Sequence, residues 1–451
     1  MKKILLWLVV LLVGISMVAT FSLVGCKEKA AAEETTAAVE ETTAVVEEKP
    51  VTLEVWHMWH EPSTNAVYDE LAGEFMEANP NVTIKSTVVP FEEASKVVKM
   101  ALTTGTGPDV LHGGIFISEL PLYVSEGLLL SLTDIAKQYK WYDRIPKSQI
   151  EFCSRDFLPE IYSIALDTEV AGVWYNKEIF SDLGLTPPMT WVEFENVINT
   201  VLEAGYQPFV LGNLDMWPGN LIIDSLIVGK VSMDDINEYK DLSGKVAYTD
   251  KGLLEAAKLA QEWGTKGYFG KDFNSIGYDD SFSQFYTKKA AMYIMGNWAI
   301  DALDENASFD YGFFLMPPSD PNLPLAAIGA PGNGYNIIKK AEENGKAGIA
   351  AKFVDLLLSK HAAEKFFEAG KIVGVEIDTT GLKGKRAQGE VVEALKILGE
   401  SQGGLAGFYS DSWIRSSEIV WPLVQELLSG QITPEDYSQQ LQEEYVKDCK
   451  E

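Results

Sequence analysis

Residues 51–111 read VTLEVWHMWHEPSTNAVYDELAGEFMEANPNVTIKSTVVPFEEASKVVKMALTTGTGPDVL, and this stretch decides the fold. Val51 to Met58 is rich in β-branched and aromatic residues and is bounded by polar ones, which predicts a first strand. Pro62 and Ser63 open a helix with Val67, Leu71 and Phe75 at a spacing of four, and Asn79-Pro80 stops it. Val82 to Val89 predicts a second strand and Glu92 to Leu102 a second helix. Gly105-Thr-Gly-Pro108 then turns the chain into Asp109-Val-Leu111, a third strand. Parallel neighbours need a helical crossover, so strand, helix, strand, helix, strand at these intervals means a parallel sheet covered by helices.

Toward the N-terminus the chemistry changes. Lys2 and Lys3 precede an apolar run from Ile4 to about Phe21, and Leu23-Val-Gly-Cys26 follows. A charged start, an apolar stretch and small residues before a cut site describe a secretory signal over residues 1–25 rather than a membrane span. The Leu-Val-Gly-Cys ending resembles a bacterial lipobox, which implies that Cys26 is lipidated and begins the mature chain. Buried acyl chain contributes roughly 0.8 kcal/mol per methylene, so a multiply acylated cysteine holds firmly to one leaflet. Residues 27–50 contain only Ala, Glu, Thr, Val, Lys and one Pro. They cannot bury enough apolar surface to offset their ordering entropy, so residues 26–50 are expected to be a lipidated cysteine and a disordered acidic tether. As a coil that segment reaches roughly 25–30 Å.

The chain of 451 residues carries a net charge of −29; residues 27–50 hold −4 and the signal +2, which leaves −27 from Val51 onward. So acidic a body argues against nucleic acid as a partner and against a basic membrane-binding face. Solubility explains the charge as well as a cationic ligand would. Apart from Cys26 there are only Cys153 and Cys449, which permit one disulfide and no disulfide framework. The body exceeds the comfortable size of one core, so two lobes are expected. Further along, Thr190-Trp-Val-Glu193 is a capping box, and Thr433-Pro-Glu-Asp436 caps a helix carrying Tyr437, Leu441 and Tyr445 on one face. Ala350 to Leu358 and Ala362 to Phe367 read as a packed helical pair. No repeat of solenoid length and no second bilayer-spanning run is present.

Six strings then point one way. They are Ala101-Leu-Thr-Thr-Gly-Thr-Gly-Pro-Asp109-Val, Tyr162 to Lys177 (YSIALDTEVAGVWYNK), Gly184 to Phe194 (GLTPPMTWVEF), Lys289 to Trp298 (KAAMYIMGNW), Gly332 to Ile337 (GNGYNI) and Ala351 to Leu357 (AKFVDLL). In this order, from about residue 51 to the C-terminus, they resemble family 1 extracellular solute-binding proteins, the carbohydrate-uptake type that includes maltose-binding protein. The resemblance implies an α/β fold of the type II periplasmic-binding-protein kind, with two α/β lobes, a hinge and an interlobe cleft. It places one lobe at residues 51–165 plus 332–373 and the other at 166–331 plus 374–451. Crossings then fall near Tyr162 to Glu169, Gly329 to Ile338 and Gly374 to Thr379. It further implies a monomer without a cofactor, lipid-anchored outside the cytoplasm, that takes a small carbohydrate ligand to the permease subunits of an ABC importer. The lobes would close on ligand by hinge motion.

Sugars stack their C–H faces on aromatic rings and pair their hydroxyls with carboxylates and amides. Trp298 ends a buried strand at Gly-Asn and matches the family's stacking position. Trp413 falls where the family places a second platform. Trp217, in Asn213-Leu-Asp-Met-Trp, suits either a ligand face or turn packing. Trp59, His60 and Glu61 follow the first strand toward the expected crevice, although an acid at a helix start is also favoured by the helix dipole. Asp167 lies in the first crossing, where the family often uses an acid, and Asn333 sits between Gly332 and Gly334, where backbone approaches a ligand closely. One departure stands out: after Asp109 the chain runs Leu111-His112-Gly113-Gly114, where maltose-type binders carry bulk.

Catalysis and metal binding are poorly supported. Carboxylates are plentiful, but no G-x-S-x-G, H-E-x-x-H or P-loop string is present. His57 and His60, three apart in an extended strand, fall on opposite faces. No metal and no enzyme activity are therefore expected. The alternative ligands are a polyol, a glycerol phosphate or a peptide. A phosphate would need a cleft Arg or Lys, for which Arg415 is the obvious candidate.

Overall fold

The first sheet follows directly from the stretch that opens the body. In the computed structural model, β1 (Val51–His57), α1 (Pro62–Ala78), β2 (Val82–Val88), α2 (Phe91–Thr103) and β3 (Val110–His112) succeed one another. β1 pairs in parallel with both β2 and β3. The structure describes residues 49–113, 115, 119–154, 159–240, 243–401, 403–407 and 416–449. The expected signal, Cys26, the tether up to residue 48, Gly114, Trp413 and Arg415 lie outside the described residues.

α1 starts at a proline, whose missing N–H costs nothing in the first turn, and it buries Tyr68, Leu71, Ala72 and Phe75. Asp109 explains the Gly-Pro-Asp turn. Fully buried, it accepts the Glu54 N–H at 2.9 Å and the Lys346 ammonium at 2.8 Å, tying β1 to the helix at 347–357. A buried carboxylate needs this pairing, because its desolvation is otherwise uncompensated.

The chain then passes through β4 (Ile164–Ala165) into β5 (Thr168–Asn176), α3 (Trp191–Glu203), β6 (Gln207–Val210), α4 (Trp217–Val228), α5 (Lys251–Thr265), β7 (Ala290–Gly296), β8 (Tyr311–Phe314) and β9 (Ala326–Pro331). It returns through β10 (Gly334–Ile337), α6 (Ala347–Leu357) and α7 (Lys360–Glu368), and ends with β11 (Gly404–Ala406), α8 (Ser416–Ser429) and α9 (Pro434–Asp448). The first sheet has the order β2-β1-β3-β10-β4, the second β11-β9-β5-β7-β6, with β8 also on β5. The second sheet departs from simple parallel alternation. β5 runs antiparallel to β7, β8 and β9, while β6–β7 and β9–β11 remain parallel.

Each sheet has its own core. Trp141, Tyr335 and Phe353 belong to the first; Trp174, Phe209, Trp263 and Tyr293 belong to the second. Trp191 and Trp263 stack in the second core, at 6.2 Å and 5°. The Thr190 capping box forms, with Glu193 accepting the Thr190 N–H at 3.0 Å. Cys153 is buried and Cys449 half-buried, both as free thiols.

Beneath the first sheet lies an aromatic cluster with titratable members. The His57 ring sits 4.0 Å from Tyr68, and the His112 ring 4.1 Å from Trp59 and 4.8 Å from Tyr335. Burial holds His57 down to about 4, and burial together with the charges of His57 and Lys371 holds His112 well below its usual value. An unfolded histidine titrates near about 6.5. Below that pH the unfolded chain binds protons that the folded chain does not, so stability falls as the pH drops toward 4. His57 accounts for roughly 3 kcal/mol of that loss. His57→Phe, which keeps a ring against Tyr68, is expected to flatten the urea midpoint against pH across this window. A slope equal to the parent's would refute the assignment.

Candidate functional site

Three chain segments lie side by side where the sheets meet. The passage from β4 to β5 runs antiparallel to the passage from β9 to β10, with Gly334 opposite Ala165 in one sheet and Thr168 opposite Pro331 in the other. The third segment bridges Val373 to Asp167. Its backbone bonds are Thr168 N–H to Ile372 O at 2.7 Å and Gly374 N–H to Leu166 O at 2.8 Å. Ile372 packs into the second core, whereas Val375 packs into the first. The buried Gln149 amide donates to the carbonyls of Ala165 and Asp167, at 2.9 and 3.2 Å.

Trp298 is delivered to this junction by its neighbour. Asn297 follows β7; its side-chain oxygen accepts the Val170 N–H at 2.9 Å and its amide donates to Thr168 O at 3.1 Å, which pins the strand end to the first crossing. The half-buried Trp298 ring folds back over Gly296, where a Cβ would lie 2.0 Å from it. Trp217 begins α4 behind Met216, whose φ of 64° is the left-handed region a non-glycine residue rarely enters. Its ring lies 4.8 Å from Tyr278 and 6.3 Å from Trp298. Burial, Tyr293 and the charge of Glu61 push the Tyr278 phenol well above its usual range, with the neighbouring Trp298 side chain working against them. The charge of Glu61, in the first half of the chain, thus reaches a tyrosine of the second.

Glu61 is the residue before α1, half-buried, with Thr64 Oγ1 donating to its carboxylate at 3.0 Å. Burial raises its carboxyl, but Lys371, His60 and the local hydrogen bonds outweigh this and hold it below the usual value. Asp167 is buried and raised by desolvation, against the pull of Lys371. Glu169 is pushed up to about 8 by burial and by Asp167, again against Lys371. Burial works against the charge of Lys371, yet Glu61, Asp167, Glu169 and Asp301 together hold its ammonium above the usual range. Ser63 at the start of α1 also hydrogen-bonds Asp301.

The remaining candidates fall elsewhere. Trp59 is only 5 % exposed, wedged among Tyr68, His112, Tyr335 and Phe366, which makes it packing beneath the junction. His60 is exposed, its Nδ1 3.1 Å from Met58 O, while His57 is buried. Asn333 is half-buried, and its backbone works against the lowering of the His112 ring. At Gly113 (φ 74°), a Cβ would sit 2.0 Å from Met58 Sδ, so the methionine fills the space the bare glycine leaves. Tyr278, Asp301 and Lys371 are residues that reading the sequence missed. Lys371 follows the helix stop at Gly370, three residues before the expected third crossing, and that adjacency was its one available signal.

The Bacterial extracellular solute-binding protein family model matches residues 60–364, and the chain belongs to this family. Its fold is that of the type II periplasmic solute-binding proteins. The Multiple sugar-binding protein of Streptococcus mutans is 25% identical over 328 residues, covering 70% of this chain and 73% of that protein. The sn-glycerol-3-phosphate-binding periplasmic protein of Escherichia coli (strain K12) is 22% identical over 335 residues, 69% of this chain and 72% of that one. Among solved structures, a chitin oligosaccharide binding protein superposes with a TM-score of 0.78 at 22% identity, over 88% of this chain and 98% of the other.

Proposed function

We propose that the chain is the substrate-binding component of a bacterial ABC importer and captures a sugar or oligosaccharide between two lobes, 51–165 with 332–373 and 166–331 with 374–451. The observation that carries this reading is the cluster of Trp217, Trp298 and Tyr278 at a strand end that Asn297 pins to the first crossing, where the buried Asp167 lies. Aromatic faces and buried acids are the two handles a sugar requires. A multiple sugar-binding relative and a chitin-oligosaccharide-binding neighbour support the same class.

In this reading Trp298 and Trp217 form the platform, and Glu61, Asp167 and Asn333 supply polar contacts. His60 stands at the rim, Trp413 is a further platform, and Trp59 supports the floor. The three crossings act as the hinge, and the closed monomer is handed to the permease without any turnover of the ligand. A glycerol phosphate is the second reading, favoured by the glycerol-phosphate-binding relative. A thermal-shift screen of mono- and oligosaccharides, glycerol 3-phosphate and short peptides tests the assignment. Stabilisation by at least one saccharide is expected, at about 2.7 kcal/mol for ligand at a hundred times Kd; stabilisation by peptides alone would overturn it.

Cys26 is proposed as the lipid anchor, on the strength of the Leu-Val-Gly-Cys sequence. Cys26→Ser is expected to release the protein from membranes into the soluble fraction. Continued sedimentation with membranes would defeat the anchor.

A further inference from the structure

Every residue of α4 from Pro218 to Val228 is buried, and most of them are apolar, as a helix inside the second core requires. Asn220 and Asp224 break that pattern, and both are buried, Asn220 at 3 % exposure. At about 100° per residue they fall within about 60° of Trp217 around the helix axis. The polar stripe of α4 therefore begins at the aromatic cluster of the site.

Asn220 has nothing to bond. Neither its Oδ1 nor its Nδ2 has a hydrogen-bond partner among the described residues. The amides just before α4 are fully engaged instead. Asn213 accepts the Gly219 N–H at 2.8 Å and donates to Asn274 Oδ1 at 2.9 Å, Asn274 donates to Gln425 O at 3.3 Å, and Gln425 donates to Asn213 O at 2.8 Å. This ring of amides holds a strained turn in place. Met216 (φ 64°, ψ −39°) is the centre of a γ-turn closed by the Trp217 N–H on Asp215 O at 2.8 Å.

The strained turn fixes where the first turn of α4 points. Helical side chains lean back over the preceding turn, and residues three apart have Cβ atoms about 5–6 Å apart, which directs the Asn220 amide toward the half-buried Trp217. A buried amide with its donor and its acceptor both idle carries their desolvation cost in the unliganded protein. Two neighbouring hydroxyls of a pyranose match it, one donating to Oδ1 while the other accepts from Nδ2. We propose, resting on the sugar-binding reading, that Asn220 is a specificity-determining residue of the site and reads a pair of adjacent hydroxyls on the sugar ring seated against Trp217.

Calorimetry and thermal unfolding of the intact chain test this, with maltotriose, raffinose, xylobiose and diacetylchitobiose as probes. Asn220→Leu removes both polar atoms at similar volume. It is expected to weaken each probe that the parent binds by about tenfold or more, while the unliganded melting temperature stays level or rises, because an unpaired buried polar group has given way to an apolar one. Asn220→Ala should lose as much affinity and keeps the test open if leucine does not fit.

Lost affinity with an undiminished melting temperature in Asn220→Leu supports the assignment. Unchanged affinity in either folded variant overturns it, gives the amide to a trapped water and leaves the sugar reading standing. A lower unliganded melting temperature in Asn220→Leu, or failure of both variants to fold, marks a packing role and overturns it as well. Binding of short peptides and of no saccharide by the parent overturns the sugar reading, and the role of Asn220 with it.

Discussion

Trp298→Ala is expected to weaken saccharide binding by roughly 30-fold or more, the loss of about 2 kcal/mol that marks a central aromatic anchor. The argument is positional. Asn297 locks the end of β7 to the first crossing with two hydrogen bonds, so Trp298 has little freedom and sits beside the acids of the junction. Its ring lies 6.3 Å from that of Trp217 and is half-buried, so truncation removes a ligand face more than it removes core. The unliganded melting temperature should therefore move by only a few degrees. Gly296→Ala makes an independent test, because a Cβ there would lie 2.0 Å from the indole and force it aside. It should reproduce most of the affinity loss while keeping the tryptophan. Unchanged calorimetric affinity in both variants would remove Trp298 from the site.

Gly264→Ala carries the largest expected effect on stability, and its sign runs against helix propensity. Alanine in a helix is normally favoured over glycine by about 1 kcal/mol. Gly264, however, lies where α5 touches α8, and an added Cβ would stand 1.9 Å from the carbonyl oxygen of Leu428. That neighbour is backbone, and Leu427 and Leu428 are both fully buried, so α8 has no easy way to yield. A net destabilisation of about 3 kcal/mol is expected. Gly73→Ala in α1 is the control, since nothing lies within 4 Å of a Cβ there. It should be neutral or slightly stabilising. Equal urea midpoints for the two variants would show that the α5–α8 contact is looser than described.

The parts of this fold legible in sequence are those decided by near neighbours. The first strand, the proline start of α1, the Asn79-Pro80 stop and the Thr190 capping box all formed as their local chemistry requires. So did the delivery of Trp298 by a buried strand ending in Gly-Asn. Each depends on residues within one turn or one strand of the signal. The composition of the second sheet was not legible, because β5 draws its partners β7, β8 and β9 from far along the chain.

The candidate site divides the same way. By itself the sequence determined the family, through motifs spread over the whole body, together with the strand-end position of Trp298 and an acid in the first crossing. Only the tertiary structure decided that Trp59 packs beneath the junction, that Met58 fills the space at Gly113, and that Tyr278 and Lys371 join Glu61 and Asp167. The physical reason is range. Periodicity and capping act over a few residues, whereas burial and charge at this junction arise from three segments brought together by sheet pairing, and no local pattern records which lysine will meet which carboxylate.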